Sequence, residues 1–219
     1  KVLMIVESPN KVKTLRQFLP SNYTIMASVG HITKIADTGL YNMGIDPNDN
    51  FKASYVVSPD KKEIVEQLKK QITGADKVIL ATDPDREGEA ISYFLKKFLK
   101  IPDNKYERVT YHEITKRAVT EALAHPRKID MDEAISAMTR ARLDKIVGYR
   151  LSSIARKNVD AISVGRCQSA ALKVVVEREE EITNFNSKKF YELYLPFIVD
   201  SDEYMAKFMG ADKKEQSQL

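Results

Sequence analysis

The sequence predicts an α/β fold, a mostly parallel sheet with flanking helices, followed by a mainly α-helical second unit. Two observations carry that prediction. Short apolar strands alternate with amphipathic helices from Val2 to Ala124, the pattern of a sheet covered by helices. After Pro126 the texture changes to long segments whose apolar residues recur three and four apart, which is the helical period.

Taken in order, Val2 to Val6 is an apolar run ended by Glu7-Ser8-Pro9, and Asn10 to Leu19 follows with Val12, Leu15, Phe18 and Leu19 at helical spacing. Tyr23 to Val29 reads as a second strand, broken by Gly30. Asp37 to Asn50, rich in Gly, Asn and Asp, reads as an excursion of loops, and Ser54 to Val57 as another short strand. Pro59-Asp60 opens a charged amphipathic helix to about Ile72, and after Gly74 comes the apolar strand Val78 to Ala81. Asp83-Pro84-Asp85 ends that strand and starts a helix through Leu99. Arg108 to Tyr111 gives a further strand and Thr115 to Ala124 a further helix, stopped by Pro126. In the second unit Asp130 to Leu151 and Gly165 to Ile182 read as helices. From Lys188 the residues Phe190, Tyr191, Leu193, Leu195, Phe197 and Val199 alternate with a slip, a strand expected to lack partners, and the polar tail from Gly210 to Leu219 closes no element. The expected domains are therefore 1–126, 127–187 and an incomplete β-containing domain at 188–219.

With 219 residues, 43% hydrophobic and 30% charged, the chain can bury one large core or two smaller ones. No apolar run is long enough to span a bilayer, and the first residues read as a strand rather than a signal peptide. A cytoplasmic monomer with no membrane partner is expected. The single cysteine, Cys167, makes no internal disulfide and no structural zinc site by itself. The net charge of +4 is unevenly spread: Thr139 to Val175 holds eight Lys and Arg (Arg140, Arg142, Lys145, Arg150, Arg156, Lys157, Arg166, Lys173) against Asp144 and Asp160, so that stretch is +6 and the remainder −2. A basic stretch beside an acid-bearing half fits a polyanion gripped on one side and a metal held on the other. It also fits a solvated helical face.

In open α/β sheets ligands sit at the carboxyl ends of the strands. Glu7 follows the first strand, and Asp83, Asp85 and Glu87 follow Val78 to Ala81. If those strands are neighbours, four carboxylates converge; crowded carboxylates repel unless a hard cation neutralises them, and Mg²⁺ takes one or two carboxylates with waters and a phosphate oxygen. The chemistry implied is phosphoryl transfer with a metal as electrostatic clamp. The same residues suit a helix start, with Asp83 or Asp85 as N-cap, Pro84 in the first turn, and Glu87 and Glu89 complementing the dipole. A calcium loop of EF-hand type fails, because Phe94 occupies the closing ligand position. No GxxxxGK[ST], GxGxxG or HExxH occurs, which removes the usual supports for nucleotide hydrolysis, dinucleotide binding and zinc proteolysis.

Longer motifs are less generic. Ile5-Val6-Glu7-Ser8-Pro9-Asn10-Lys11 resembles the VESPxK opening of bacterial type IA DNA topoisomerases, and Ser28-Val29-Gly30-His31-Ile32 their SxGHI motif. Ala81-Thr82-Asp83-Pro84-Asp85-Arg86-Glu87-Gly88-Glu89-Ala90-Ile91 is similar to the ATDxDREGEAI motif of the Toprim fold. Glu113-Ile114-Thr115 continues the order. Leu143-Asp144-Lys145-Ile146-Val147-Gly148-Tyr149 resembles LDRLVGY, and Ser163-Val164-Gly165-Arg166-Cys167-Gln168-Ser169 resembles SxGRVQS. Two departures stand out: where members often carry paired arginines before the aspartate of LDRLVGY, this chain has Arg140, Ala141 and Arg142, and Cys167 replaces a usual valine. The opening motif favours the topoisomerase I branch over topoisomerase III; a reverse gyrase, a non-catalytic nucleic-acid-binding Toprim module, and a Toprim primase or nuclease are the alternatives, the last opposed by the two helical motifs.

The resemblance implies a Mg²⁺-dependent enzyme that cuts one strand of negatively supercoiled DNA through a tyrosine, passes a strand and reseals. It implies that Asp83 and Asp85 hold Mg²⁺ with Glu87 assisting, and that Glu7 acts as proton donor or metal-side group. Lys11 would face the scissile phosphate and His31 would contact phosphate or an acid. Arg140, Arg142, Asp144, Arg166, Gln168 and Ser169 would bind single-stranded DNA. None of the ten tyrosines lies in a TYxRTDS-like setting, and Tyr111 reads as core. The expectation is that this chain binds Mg²⁺ and single-stranded DNA without cleaving, the nucleophile coming from the remaining domains of the same enzyme.

Overall fold

A computed structural model describes residues 1–159 and 162–209. Asp160, which entered the charge balance, Ala161 and the tail 210–219, read above as closing no element, lie outside the described residues. The chain forms two compact units, Lys1–Gln168 and the residues from Ser169 onward.

The first unit runs β1 (Val2–Val6), α1 (Pro9–Leu15), β2 (Tyr23–Ala27), β3 (Thr33–Ile35), β4 (Ile45–Asp46), β5 (Lys52–Ala53), β6 (Tyr55–Val57), α2 (Lys62–Thr73), β7 (Lys77–Ala81), α3 (Arg86–Phe98), β8 (Tyr106–Arg108), α4 (Lys116–Ala124) and α5 (Met131–Asn158). Its four-stranded sheet has the order β2-β1-β7-β8, and each neighbouring pair is parallel. β3 with β6 and β4 with β5 form small antiparallel pairs, so the stretch read as loops contains β4.

The period of two in the central strands sorts their side chains between two cores. Leu3 and Ile5 of β1 with Val78 and Leu80 of β7 face Leu68 of α2, Ile91 and Leu95 of α3, and Ala134 and Met138 of α5. Met4, Val6, Ile79 and Ala81 face the other way, against Leu15 of α1 and Val119 of α4. Both faces of β1 and β7 are thus covered, which is why these strands read as unbroken apolar runs. Each such Leu, Ile, Val or Met side chain contributes about 1.5–3 kcal/mol by leaving water.

Several boundaries differ from the sequence reading. The strand placed at Arg108 to Tyr111 is Tyr106–Arg108; Val109 N–H still reaches Leu80 O, but the chain then leaves the ladder and Tyr111 is not in a strand. The first helix ends at Leu15 rather than Leu19, and α5 runs seven residues past Leu151, capped at its start by Asp130, whose side chain accepts from Asp132 N and Glu133 N. α6 spans Arg166–Thr183, and in the second unit β9 (Tyr194–Val199) does have a partner, β10 (Asp202–Lys207), antiparallel. Asp200 and Ser201, with φ 51° and 76°, close a two-residue hairpin whose positive φ values match the twist of the strands. Among the described residues no helix is long and apolar enough to cross a membrane.

Candidate functional site

The register pairs Val6 with both Ala27 and Ala81, so the turns after β1, β2 and β7 leave the sheet side by side at its carboxyl edge. Those turns carry Glu7, the Ser28–His31 segment and Asp83. The neighbouring turns are tied together: Ser28 N–H donates to Val6 O and Gly30 N–H to Glu7 O. Val29 and Gly30 are both left-handed, φ 57° and 77°. For a β-branched residue that is a strained conformation; it directs His31 toward Glu87, Nε2 to Oε1 3.2 Å.

The acids here are not equivalent. Glu7 is half-buried; burial, and then the charge on Asp83, push its carboxyl above the ordinary value, with Lys11 opposing and Asp85 adding to the rise. Lys11, on α1, forms an ion pair with Asp83. Asp85 is the N-cap of α3: its Oδ1 accepts from Gly88 N at 2.7 Å. The cap reading and the acid-cluster reading of this stretch are therefore not exclusive, since a cap uses one oxygen and leaves the other to solvent. Gly88 is required where it stands, because a Cβ there would be driven into the Asp83 carbonyl.

In the sequence Glu89 reads as a dipole partner, and neither Arg108 nor Arg127 stands out as a site residue. Glu89 and Arg108 are in fact buried together, side chains 3% and 0% exposed, with 2.9 Å between Oε1 and Nη2. Arg127 Nη2 is 2.6 Å from the same oxygen. Burial alone would raise the Glu89 carboxyl, but the Arg127 hydrogen bonds and the Arg108 charge hold it below its ordinary value. The signal in the sequence was weak: an arginine closing a strand that packs beside another strand's acid turn.

A hard cation fits the donor set at this edge. Among the described residues no three Asp, Glu, His or Cys side chains stand close enough to hold a metal ion between them. Mg²⁺ does not need three; one or two carboxylates with water and phosphate oxygens suffice, and a cation would offset the Asp83 and Asp85 charges that, after burial, raise Glu7. Tyr111 does not offer a nucleophile: burial, and then the charge of Asp83, push its phenol up to about 12, and its hydroxyl is buried without a protein partner among the described residues.

The second group of expected residues lies on α5 and in the first turn of α6. Asp144 joins them, 2.8 Å from Arg166 Nη2 and 3.7 Å from Arg140 Nε. Gln168 Oε1 accepts from Ser163 Oγ at 3.3 Å. With Tyr149 and Arg156, the residues Asp144, Ser163, Arg166 and Gln168 line an open groove of about 610 Å³, and Arg140 does not. Arg142 does not line it; its Nε is buried with no partner among the described residues. Ser169 is exposed on α6. Lys145, absent from the expected site, lines this groove and also a cavity of about 380 Å³ shared with His31 and Glu87. It donates to Ile35 O and to Asp37 Oδ1, and with Lys34 it lowers the Asp37 carboxyl to about 2.

The turn-and-edge geometry matches a known pattern. Residues 2–114 match the model of the Toprim domain, and residues 128–219 match a model described as DNA topoisomerase. This chain belongs to the type IA DNA topoisomerase family. Among solved structures it is similar to full-length topoisomerase I from Thermotoga maritima, with a TM-score of 0.76 and 32% identity over 99% of this chain. The chain spans 37% of the length of that topoisomerase. In the family's terms, the parallel sheet with its acid turn is the Toprim domain, and α5 with the groove falls in the part matched by the topoisomerase model.

Proposed function

We propose that this chain supplies the metal-binding and part of the DNA-binding surface of a type IA topoisomerase I, which relaxes negatively supercoiled DNA by Mg²⁺-dependent cleavage of one strand, strand passage and religation. The observation that supports it most is the meeting of Glu7, Lys11, Asp83, Asp85, His31 and Glu87 at one sheet edge. Asp83 and Asp85 would hold Mg²⁺, with Glu87 and Glu7 beside it, and the ion would offset charge on the phosphate.

The chain's own residues have separable tasks. Glu7, whose carboxyl holds its proton to higher pH than an ordinary glutamate, gives that proton to the 3′ oxygen as the phosphorus–oxygen bond breaks and takes it back on resealing. Lys11 places a positive charge beside the acids, where the scissile phosphate comes to rest. His31, held against Glu87, orients that acid or the phosphate. The groove of Asp144, Arg166 and Gln168, with Arg140 paired to Asp144 outside its lining, receives the backbone of a single strand, with phosphate contacts setting position rather than sequence. The tyrosine that becomes joined to the 5′ phosphate comes from outside these residues, so the chain by itself binds and does not cut.

The test is reconstitution. The chain is mixed with a separately produced segment bearing the family's active-site tyrosine, and relaxation of a negatively supercoiled plasmid is followed with Mg²⁺ present. Relaxation that disappears with Asp83→Asn supports the proposal; no relaxation from a stably associated pair overturns it.

A further inference from the structure

We propose that Arg108 and Glu89 are positioning residues for the acid turn, holding the backbone of Asp83 in place for cation binding from beneath the sheet edge. The inference rests on the metal reading of that turn. Arg108 is fully buried, yet only part of its guanidinium is directed at Glu89. Nη1 donates to Thr82 O at 2.8 Å, Val109 O at 2.8 Å and Leu80 O at 3.2 Å, and Nη2 to Asp83 O at 2.8 Å. One side chain thus draws the carbonyls of the last strand residues and of the first acid inward. The Asp83 carboxylate is left on the opposite, half-exposed side, against Lys11.

Glu89 keeps Arg108 there. Its carboxylate accepts from Arg108 Nε at 3.0 Å, Arg127 Nη2 at 2.6 Å, Arg127 Nη1 at 3.3 Å and Asp130 N at 2.9 Å. With every lone pair engaged, this carboxylate has no capacity left for a cation. The run Asp83-Pro84-Asp85-Arg86-Glu87-Gly88-Glu89 therefore divides by direction: Asp83, Asp85 and Glu87 lie at the surface, and Glu89 turns inward as an anchor. Thr82 Oγ1, donating to Gly88 O at 2.6 Å, and the close approach of Gly88 to the Asp83 carbonyl fix the other side of the turn. A buried pair that served stability alone would not need its arginine bonded to the two carbonyls, Thr82 O and Asp83 O, that open the acid-bearing turn. Partners that orient ligand-bearing groups typically set metal affinity by about 10- to 100-fold.

The test compares Glu89→Gln, Arg108→Lys and Arg127→Gln in the whole chain. Mn²⁺ binding is read by electron paramagnetic resonance, and amide hydrogen exchange is read residue by residue. Glu89→Gln and Arg108→Lys are expected to weaken Mn²⁺ binding about tenfold or more and to speed exchange at Gly88 N–H, while β1 and β7 amides stay protected. Arg127→Gln removes a Glu89 partner that touches no carbonyl of the turn, and is expected to leave Mn²⁺ affinity unchanged. If all three variants lose stability while Mn²⁺ affinity and exchange at the turn follow the global change, the pair is structural and the proposal is wrong. Absence of Mn²⁺ binding by the unaltered chain would instead sink the metal reading. In that case exchange decides this proposal: opening confined to residues 82–88 supports it and uniform opening overturns it. Either Glu89→Gln or Arg108→Lys suffices should the other not fold.

Discussion

The turn after β7 is held from beneath by buried, charge-assisted bonds, whereas the groove along α5 is held by ion pairs at the surface. Arg108 and Glu89 are nearly inaccessible, but Arg140, Asp144 and Arg166 are each 41–54% exposed along their side chains. Geometry that must present several carboxylates against their own repulsion needs a rigid base, because the charges would otherwise drift apart. On the proposed function, the exposed cations of the groove trade Asp144 for a phosphate of the single strand. Rigidity and adaptability are thus placed in different parts of one compact unit.

The largest effect is expected at the base of the turn. Arg108→Met leaves Glu89 as a buried charge short of a partner, a change that costs about 3–5 kcal/mol in comparable sites; denaturant unfolding measures it, and a loss under about 1 kcal/mol would show that the turn is not anchored there. Gly88→Ala comes next, at about 2–3 kcal/mol, since its new methyl must displace the Asp83 carbonyl; unfolding close to that of the unaltered chain would mean the turn yields easily.

The groove should behave oppositely. Arg166→Ala is expected to change stability by no more than about 0.5 kcal/mol, yet to weaken binding of a single-stranded oligonucleotide and to flatten its salt dependence by about one unit of slope. Fluorescence anisotropy across a salt series reads both, and an unchanged slope would remove Arg166 from the phosphate path.

The smallest effect is one of pH, and its two carboxyls act with opposite sign. Glu89 lies below its ordinary value of 4.5, so its contribution is complete above pH 4.5 and is lost as pH falls through the folded value. Glu7 lies above 4.5, so folding favours its protonated form, and the benefit is lost as pH rises past 4.5 through the folded value. Glu7→Gln is accordingly expected to raise the unfolding midpoint at neutral pH by no more than about 2 °C, with no gain well below pH 4. A midpoint that falls at neutral pH would mean that ionised Glu7 is stabilised rather than crowded.

Much of this protein was legible from local pattern. Apolar runs ending in acids marked β1 and β7, because a strand covered on both faces has no polar positions to interrupt it. The ordered motifs from Glu7 to Gln168 named the family, and the parallel sheet with flanking helices followed. Strand limits were less legible: β8 is short and its arginine belongs to the buried network, so Arg108 looked like the start of a strand that it ends. The partner of β9 is not legible because β10, Asp202–Lys207, opens on two adjacent acids and closes on a lysine, so only Tyr204, Met205 and Ala206 carry an apolar signal, with no alternation.

The sequence by itself determined which residues carry charge, which segments cannot avoid burial, and that acids stand at strand ends; these follow from side-chain chemistry and the periods of two and 3.6. Only the tertiary structure decided that β1 lies beside β7, and so that Glu7 meets Asp83. It alone turned Glu89 inward while Glu87 stayed at the surface, and put Lys145 between two cavities. Strand order and side-chain direction depend on contacts between residues far apart in the chain, such as Arg108 and Asp83, and one-dimensional spacing does not encode them.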